Sequence, residues 1–404
     1  MLFLLLSMSC LSFARFVKPD VKAPNSLPIH NLSTGLNYST IQDGINANET
    51  LNGQTIFVDA GTYYESVVVN KSISLIGANS ASTIIDGNGT GNVVETTVNG
   101  VTLSGFTVRN GGTGVYLDGA VDCNISDNQV TNDLYGIYVY ASVSSPTFSV
   151  IAGNDIANCN IGISLDEAYN TTITANTIAN NTDQGIHSQF SEGNTYFHNN
   201  IINNTLQAYN WGESGAWPNT WDNGNSSGGN FWSDYNGNNT NSDGFGNIPY
   251  NVGPENIDHY PLMGMFNSFN VTSQYSVETV CNSTISDFQF NGTALLFNVN
   301  GENGTTGFCR VSFPTTLING TLTVFVNQTE VPYTLLPESN STESYLYFTY
   351  SHSTERVTIA PEFPEPLAFA LSVFVILLTI TIYKKKHKKV LALVLNLTIN
   401  KAIS

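Results

Sequence analysis

Basic residues are what this 404-residue chain has least of: 13 Lys plus Arg stand against 31 Asp plus Glu, a formal charge of −18. Between residues 23 and 383 the bases are Lys71, Arg109, Arg310 and Arg356, against 30 of the acids, a surplus of 26 negative charges. Such a surface repels a phosphate backbone and excludes nucleic acid as a partner. Charged residues are scarce altogether, at 11%, well under the usual quarter of a globular chain. Asn, Ser, Thr and Gly take their place, the composition of a glycosylated or ladder-built β protein of a cell surface. Soft metal ligands are thin as well, with five Cys, four Met and six His in the whole chain.

Long apolar runs are confined to the two ends. Leu2 to Leu11 followed by Ser12-Phe13-Ala14 reads as a secretory signal over residues 1–14, although the positively charged start is missing. Residues 367–383 form an uncharged run at the lower limit of a transmembrane helix, and five lysines follow within six positions. Lys and Arg gather on the cytoplasmic side of a span, so the acidic bulk is expected outside and residues 384–404 form a cytoplasmic tail. Pro361-Glu362-Phe363-Pro364-Glu365-Pro366 precedes the span as a linker or sorting motif. Its order resembles the C-terminal sorting segments of archaeal surface proteins, which implies either a plain helical anchor or a helix exchanged for a lipid. Nineteen Asn-x-Ser/Thr sequons, from Asn31 to Asn396, permit N-glycosylation on an exported chain.

No helix-length apolar pattern occupies the middle. What recurs is an apolar residue followed two positions later by Asn, at Val108, Val130, Ile156, Ile178 and Ile201, with spacings of 22, 26, 22 and 23. Gly114-Val115, Gly136-Ile137, Gly162-Ile163 and Gly185-Ile186 return in the same phase. Short β-branched runs at a period near 22 predict coils of parallel strands stacked about 4.8 Å apart. Val130, Ile156, Ile178 and Ile201 then form an inward stack. Asn132, Asn158, Asn180 and Asn203 are expected to take left-handed turns and to bond one another as an amide ladder. Thr40 to Ile45 has the spacing of a capping helix, and the runs 55–58, 66–69, 73–77 and 83–87 read as early strands. The reading is all-β: a right-handed parallel β-helix of roughly eight turns, at about 22 residues per turn.

The repeat closes on an aromatic, Gly-rich segment. All four tryptophans lie between Trp211 and Trp232, followed by Asp243-Gly244-Phe245-Gly246-Asn247 and Asp258-His259-Tyr260-Pro261. Cap, repeats and this ending together resemble the NosD-like β-helix family of archaeal surface proteins, over residues 36–263. That resemblance implies a solenoid fold shared with polysaccharide lyases and hydrolases, and a family name tied to copper insertion. Function must therefore be argued from a site.

Lyase chemistry needs a base and a cation over a uronate, and hydrolysis needs two carboxylates facing one bond. Lys71 and Arg109 are the cations of the solenoid, several turns from the later acids, and Asp166-Glu167, the best acidic pair, are neighbours that point to opposite faces of a strand. No catalytic constellation emerges. Copper needs clustered His, Cys or Met, but His187 and His198 differ in phase, as do Cys123 and Cys159, which read as buried thiols. Calcium is the metal candidate, with Asp234, Asp243 and Asp258 as ligands from the closing loops. Trp211, Trp217 and Trp221 are the candidate glycan-binding rings, the alternative being a plug over the end of the core.

Residues 266–360 change character to alternating aromatic strands. Asn291-Gly292 and Asn319-Gly320 are read as hairpin turns in a small β-sandwich-like module, and Cys281 with Cys309 as a disulfide outside the cell. The function expected from the sequence is a non-enzymatic, membrane-anchored β-helix on the outer face of the cell membrane, binding carbohydrate or cell-envelope components. The alternatives are a polysaccharide lyase or hydrolase in the groove, or a copper maturation factor.

Overall fold

The computed structural model describes residues 27–141, 147–211 and 217–362. The expected signal at 1–14, the span at 367–383 and the tail at 384–404 lie outside the described residues. Among the described residues no helix is long and apolar enough to cross a membrane.

Three parallel sheets wind around one core. The first runs from Thr55–Val58 to Thr195–Phe197, the second from Gly61–Tyr63 to Asn200–Ile202, and the third from Val67–Val69 to Leu206–Trp211. The coils number seven complete turns, with Phe231–Trp232 adding a further strand to the second sheet alone. The expectation of roughly eight turns counted the cap as a coil. That segment is instead an antiparallel pair, Ile29–Asn31 with Asn37–Tyr38, and a short helix, Ile41–Asn46, whose Ile41 and Ile45 are fully buried. Thr40 caps this helix by accepting the Asp43 N–H, and the lid covers a first coil that would otherwise expose core and strand edge.

From the third coil onward, each coil turns two tight corners in the left-handed region. The corner between the first and second sheets holds Gly105, Asp127, Gly153, Ala175 and His198; the corner between the second and third holds Asn110, Asn132, Asn158, Asn180 and Asn203. The sequence reading placed the amide ladder on this second set. Asn132, Asn158, Asn180 and Asn203 do adopt positive φ, but their side chains are exposed. The ladder runs instead through Asn128, Asn154, Asn176, Asn199 and Asn230, all inside, with Nδ2 to Oδ1 distances of 3.1, 3.0, 2.9 and 2.9 Å. Each Oδ1 also accepts the backbone N–H of the previous ladder residue, and the amides of Asn128, Asn154, Asn176 and Asn199 donate in addition to the carbonyls of Leu103, Ile125, Ile151 and Ile173. Burial makes this complete pairing necessary.

Beside the ladder the apolar stack Val130, Ile156, Ile178 and Ile201 is fully buried and in register. The recurring glycines have a packing reason. A Cβ on Gly136 would stand 2.5 Å from the Gly162 carbonyl oxygen, and one on Gly162 would stand 2.6 Å from that of Gly185.

After the solenoid, two five-stranded antiparallel sheets span Met265–Asn270 to Thr354–Pro361. Cys281 and Cys309 lie opposite each other on neighbouring strands and are joined by a disulfide. Asn291-Gly292 makes its hairpin, but Asn319-Gly320 does not. The chain there crosses from the first of these sheets to the second, and the hairpin turn falls at Asn327-Gln328, both at positive φ. Arg310 pins the junction with the solenoid. It donates to the carbonyls of Asp243 and Ser226 and lies 4.3 Å over the Phe245 ring.

Candidate functional site: the outer face of the third sheet

From Thr113–Asp118 onward the strands of the third sheet are six residues long, and in-register pairing sets their outward side chains in rows along the solenoid axis. One row is Glu95, Tyr116, Tyr138, Ser164, His187 and Tyr209. The next is Asp118, Tyr140, Asp166, Gln189 and Trp211. Between them Val115, Leu117, Ile137, Val139, Ile163 and Leu165 turn inward and are fully buried, as the two-residue period of a strand requires.

The rings of the first row are held in place by each other and by the acids of the second. Tyr116 and Tyr138 stack at 5.3 Å, Tyr135 joins Tyr138 at 5.2 Å, and His187 meets Tyr209 at 5.8 Å. The Tyr116 hydroxyl donates to Asp118 at 3.2 Å and the Tyr138 hydroxyl to Asp166 at 3.0 Å. Burial, aided by Asp118, pushes the Tyr116 hydroxyl up to about 12, and burial with Asp166 raises Tyr138 likewise, so both stay donors at any physiological pH. Burial lowers the His187 imidazole below its ordinary range. Its Nδ1 lies 2.7 Å from Gln184 Oε1. The face thus combines rings, hydroxyl donors, amides and carboxylate acceptors, the groups that pair with sugar hydroxyls and stack on sugar rings. Among the described residues no sequon asparagine lies in a strand of this sheet; Asn180 and Asn203 sit on the corner leading into it and Asn170 just beyond it.

The tryptophans divide. Trp211 ends the second row, 43% exposed, with Phe190 edge-on at 4.5 Å. Trp217 touches the same Phe190 from 6.0 Å. Trp221 is fully buried, stacked on Tyr196 at 4.1 Å and bonded through Nε1 to Asn256, which leaves it no ring face for a ligand. With Trp232 on Tyr250 it plugs the open end of the core.

The three aspartates proposed for calcium do not converge. Asp258 is fully buried and accepts from Asn230 N, Trp232 Nε1 and Tyr260 N at 2.8, 2.9 and 3.0 Å. It ends the asparagine ladder, and burial pushes its carboxyl up to about 7. Asp234 accepts from the Tyr250 hydroxyl, while Asp243 bonds Phe245 N. These residues do not fit calcium. Copper fares the same: Cys123 and Cys159 are buried thiols apart from each other in the core, and His198 is buried against Phe266 with Nε2 donating to Ser227 O. Among the described residues no three His, Cys, Asp or Glu gather as a metal group. Asp166 faces outward from its strand, whereas Glu167 begins a left-handed turn, so the pair does not face one bond.

Sequence reasoning missed Tyr116, Tyr138, Tyr209 and Gln189, and weighed His187 only as a copper ligand. The signal was present in the phased glycines, since positions two and four residues after Gly114, Gly136, Gly162 and Gly185 are the two outward rows.

The model of the family described as periplasmic copper-binding protein (NosD) matches residues 29–237. The chain belongs to the NosD family. This NosD chain is also 30% identical over 105 residues to a cell surface glycoprotein of Methanothermus fervidus, a match covering 26% of this chain and 17% of that relative. Among solved structures, an alginate lyase of Paenibacillus is similar at 14% identity and a TM-score of 0.28, covering 47% of this chain and 77% of that one. A tailspike protein of Acinetobacter baumannii bacteriophage Fri1, a capsular polysaccharide depolymerase, is similar at 10% identity and a TM-score of 0.29, covering 78% and 80%. The copper of the family name meets no ligand set in the described part of this NosD chain.

Proposed function

We propose that the protein is a non-enzymatic surface solenoid that holds glycan or cell-envelope chains along the outer face of its third sheet. The observation that carries this reading is the pair of in-register rows, Tyr116 to Tyr209 and Asp118 to Trp211. Repeated rings and hydrogen-bonding groups at strand spacing suit a repeating ligand laid along the axis. The name of the surface-glycoprotein relative is in keeping with an outer location, and the apolar run at 367–383 is the proposed anchor.

The test is retention of the full chain on an array of polysaccharides, with newly formed chain ends assayed alongside. The proposal expects retention without new ends, and loss of at least tenfold in affinity in the Tyr116→Ala/Tyr138→Ala/Tyr209→Ala variant. New chain ends would establish the enzymatic alternative instead.

A further inference from the structure

We infer that the glycan held on this face is uncharged, and that the face turns away uronate, sulfate and phosphate chains. This rests on the proposed function and adds the class of ligand. The two rows carry Glu95, Asp118 and Asp166 among their rings, at the second, third and fifth coils. Among the described residues no cation balances them. The described part of the chain has four Lys and Arg, and each is committed or placed elsewhere. Lys71 donates to the carbonyls of Ala47 and Thr50 beneath the cap. Arg109 projects from the second sheet and pairs with Asp86 at 2.8 Å. Arg310 is buried in the junction, and Arg356 belongs to the strand Thr354–Pro361 of the second module.

Among the described residues, an anionic chain lying along the rows would therefore meet a carboxylate on three coils and a guanidinium or ammonium on none. A uronate also brings acceptors where the face already offers acceptors, the carboxylates of Asp118 and Asp166. The hydroxyls of a neutral sugar supply further donors to these carboxylates, beyond the Tyr116 and Tyr138 hydroxyls they already accept from. The Tyr116 to Tyr209 interval spans four coil steps, about 19 Å at about 4.8 Å per step, so several successive sugars lie within reach of the acids. No three carboxylates gather closely enough to recruit a bridging metal among the described residues.

The experiment compares, on the full chain at low ionic strength, neutral glycans with their charged counterparts of the same backbone: dextran with dextran sulfate, and fully methyl-esterified with de-esterified homogalacturonan, within a wider array of such pairs. The inference expects each charged member to bind at least tenfold more weakly than its neutral partner. That gap should narrow at high salt, where exposed charges are screened, and narrow likewise in the Asp118→Asn/Asp166→Asn variant, which keeps side-chain shape and an acceptor for each tyrosine. Equal or tighter binding of the charged members, with or without added calcium, that is still lost in the triple tyrosine variant would overturn the neutral-ligand inference and leave the proposed function standing. Retention of no glycan anywhere on the array would overturn both.

Discussion

The repeat asparagines of this solenoid have two jobs, held four residues apart wherever a coil carries both. Asn154 sits inside and is paired on both amide atoms; Asn158, four residues later, turns a corner with its side chain in solvent. Asn154→Ala strips an acceptor from Asn128 and a donor from the Ile125 carbonyl. At about 1–3 kcal/mol per buried group left unmatched, it should lower the urea midpoint far more than Asn158→Ala, which gives up only the corner preference of about 1 kcal/mol. Equal losses would count against the interior ladder. Asp133 is a residue where the pairing is incomplete: Oδ1 accepts from Gly111 N at 2.6 Å while Oδ2 is buried without a partner. Burial pushes its carboxyl up to about 8. The folded protein holds this proton where the unfolded chain has already released it, so stability falls as pH rises from about 4 to about 8. Asp133→Asn should flatten the melting temperature across that window relative to the parent, and an unchanged pH slope would contradict the assignment. Asn31, a sequon residue, is fully buried with its amide on Thr50 and Gln54, so glycopeptide mapping of folded protein should find it bare.

Elements were legible where one residue type repeats. The apolar stack, the phased glycines, the capping helix and the early strands follow from periodicity, because core space and carbonyl contact admit few alternatives. Gly136→Ala would drive a Cβ into the next coil's backbone and should cost more than about 2 kcal/mol, read as a lowered urea midpoint. The candidate site was not legible in that way. Its row reads Tyr, Tyr, Ser, His, Tyr, so no single letter repeats, and the outward register appears only once the coils are stacked. The amide ladder was misplaced for a related reason: each coil carries two asparagines at the same period, and periodicity does not say which one points inward. The tryptophans attract attention by their size, yet size alone does not separate Trp221 in the plug from Trp211 on the face.

For the whole molecule, the solenoid's open end is closed by its own aromatic segment and then by the second module. Asn200 bonds the Phe266 backbone through both amide atoms at 2.8 and 2.9 Å, and Arg310 spans the junction as described. Arg310→Ala leaves two carbonyls unpaired and should split one calorimetric unfolding transition into two; a parent already showing two would contradict a coupled junction. These junction contacts gather at the closing end of the solenoid. The most direct test of the third-sheet face is a crystal structure of the full chain with an oligosaccharide taken from the best-retained glycan. The account predicts sugar rings along Tyr116, Tyr138, His187 and Tyr209, within hydrogen-bonding reach of Asp118, Asp166 and Gln189. Sugar bound elsewhere, with these rows bare, would contradict it.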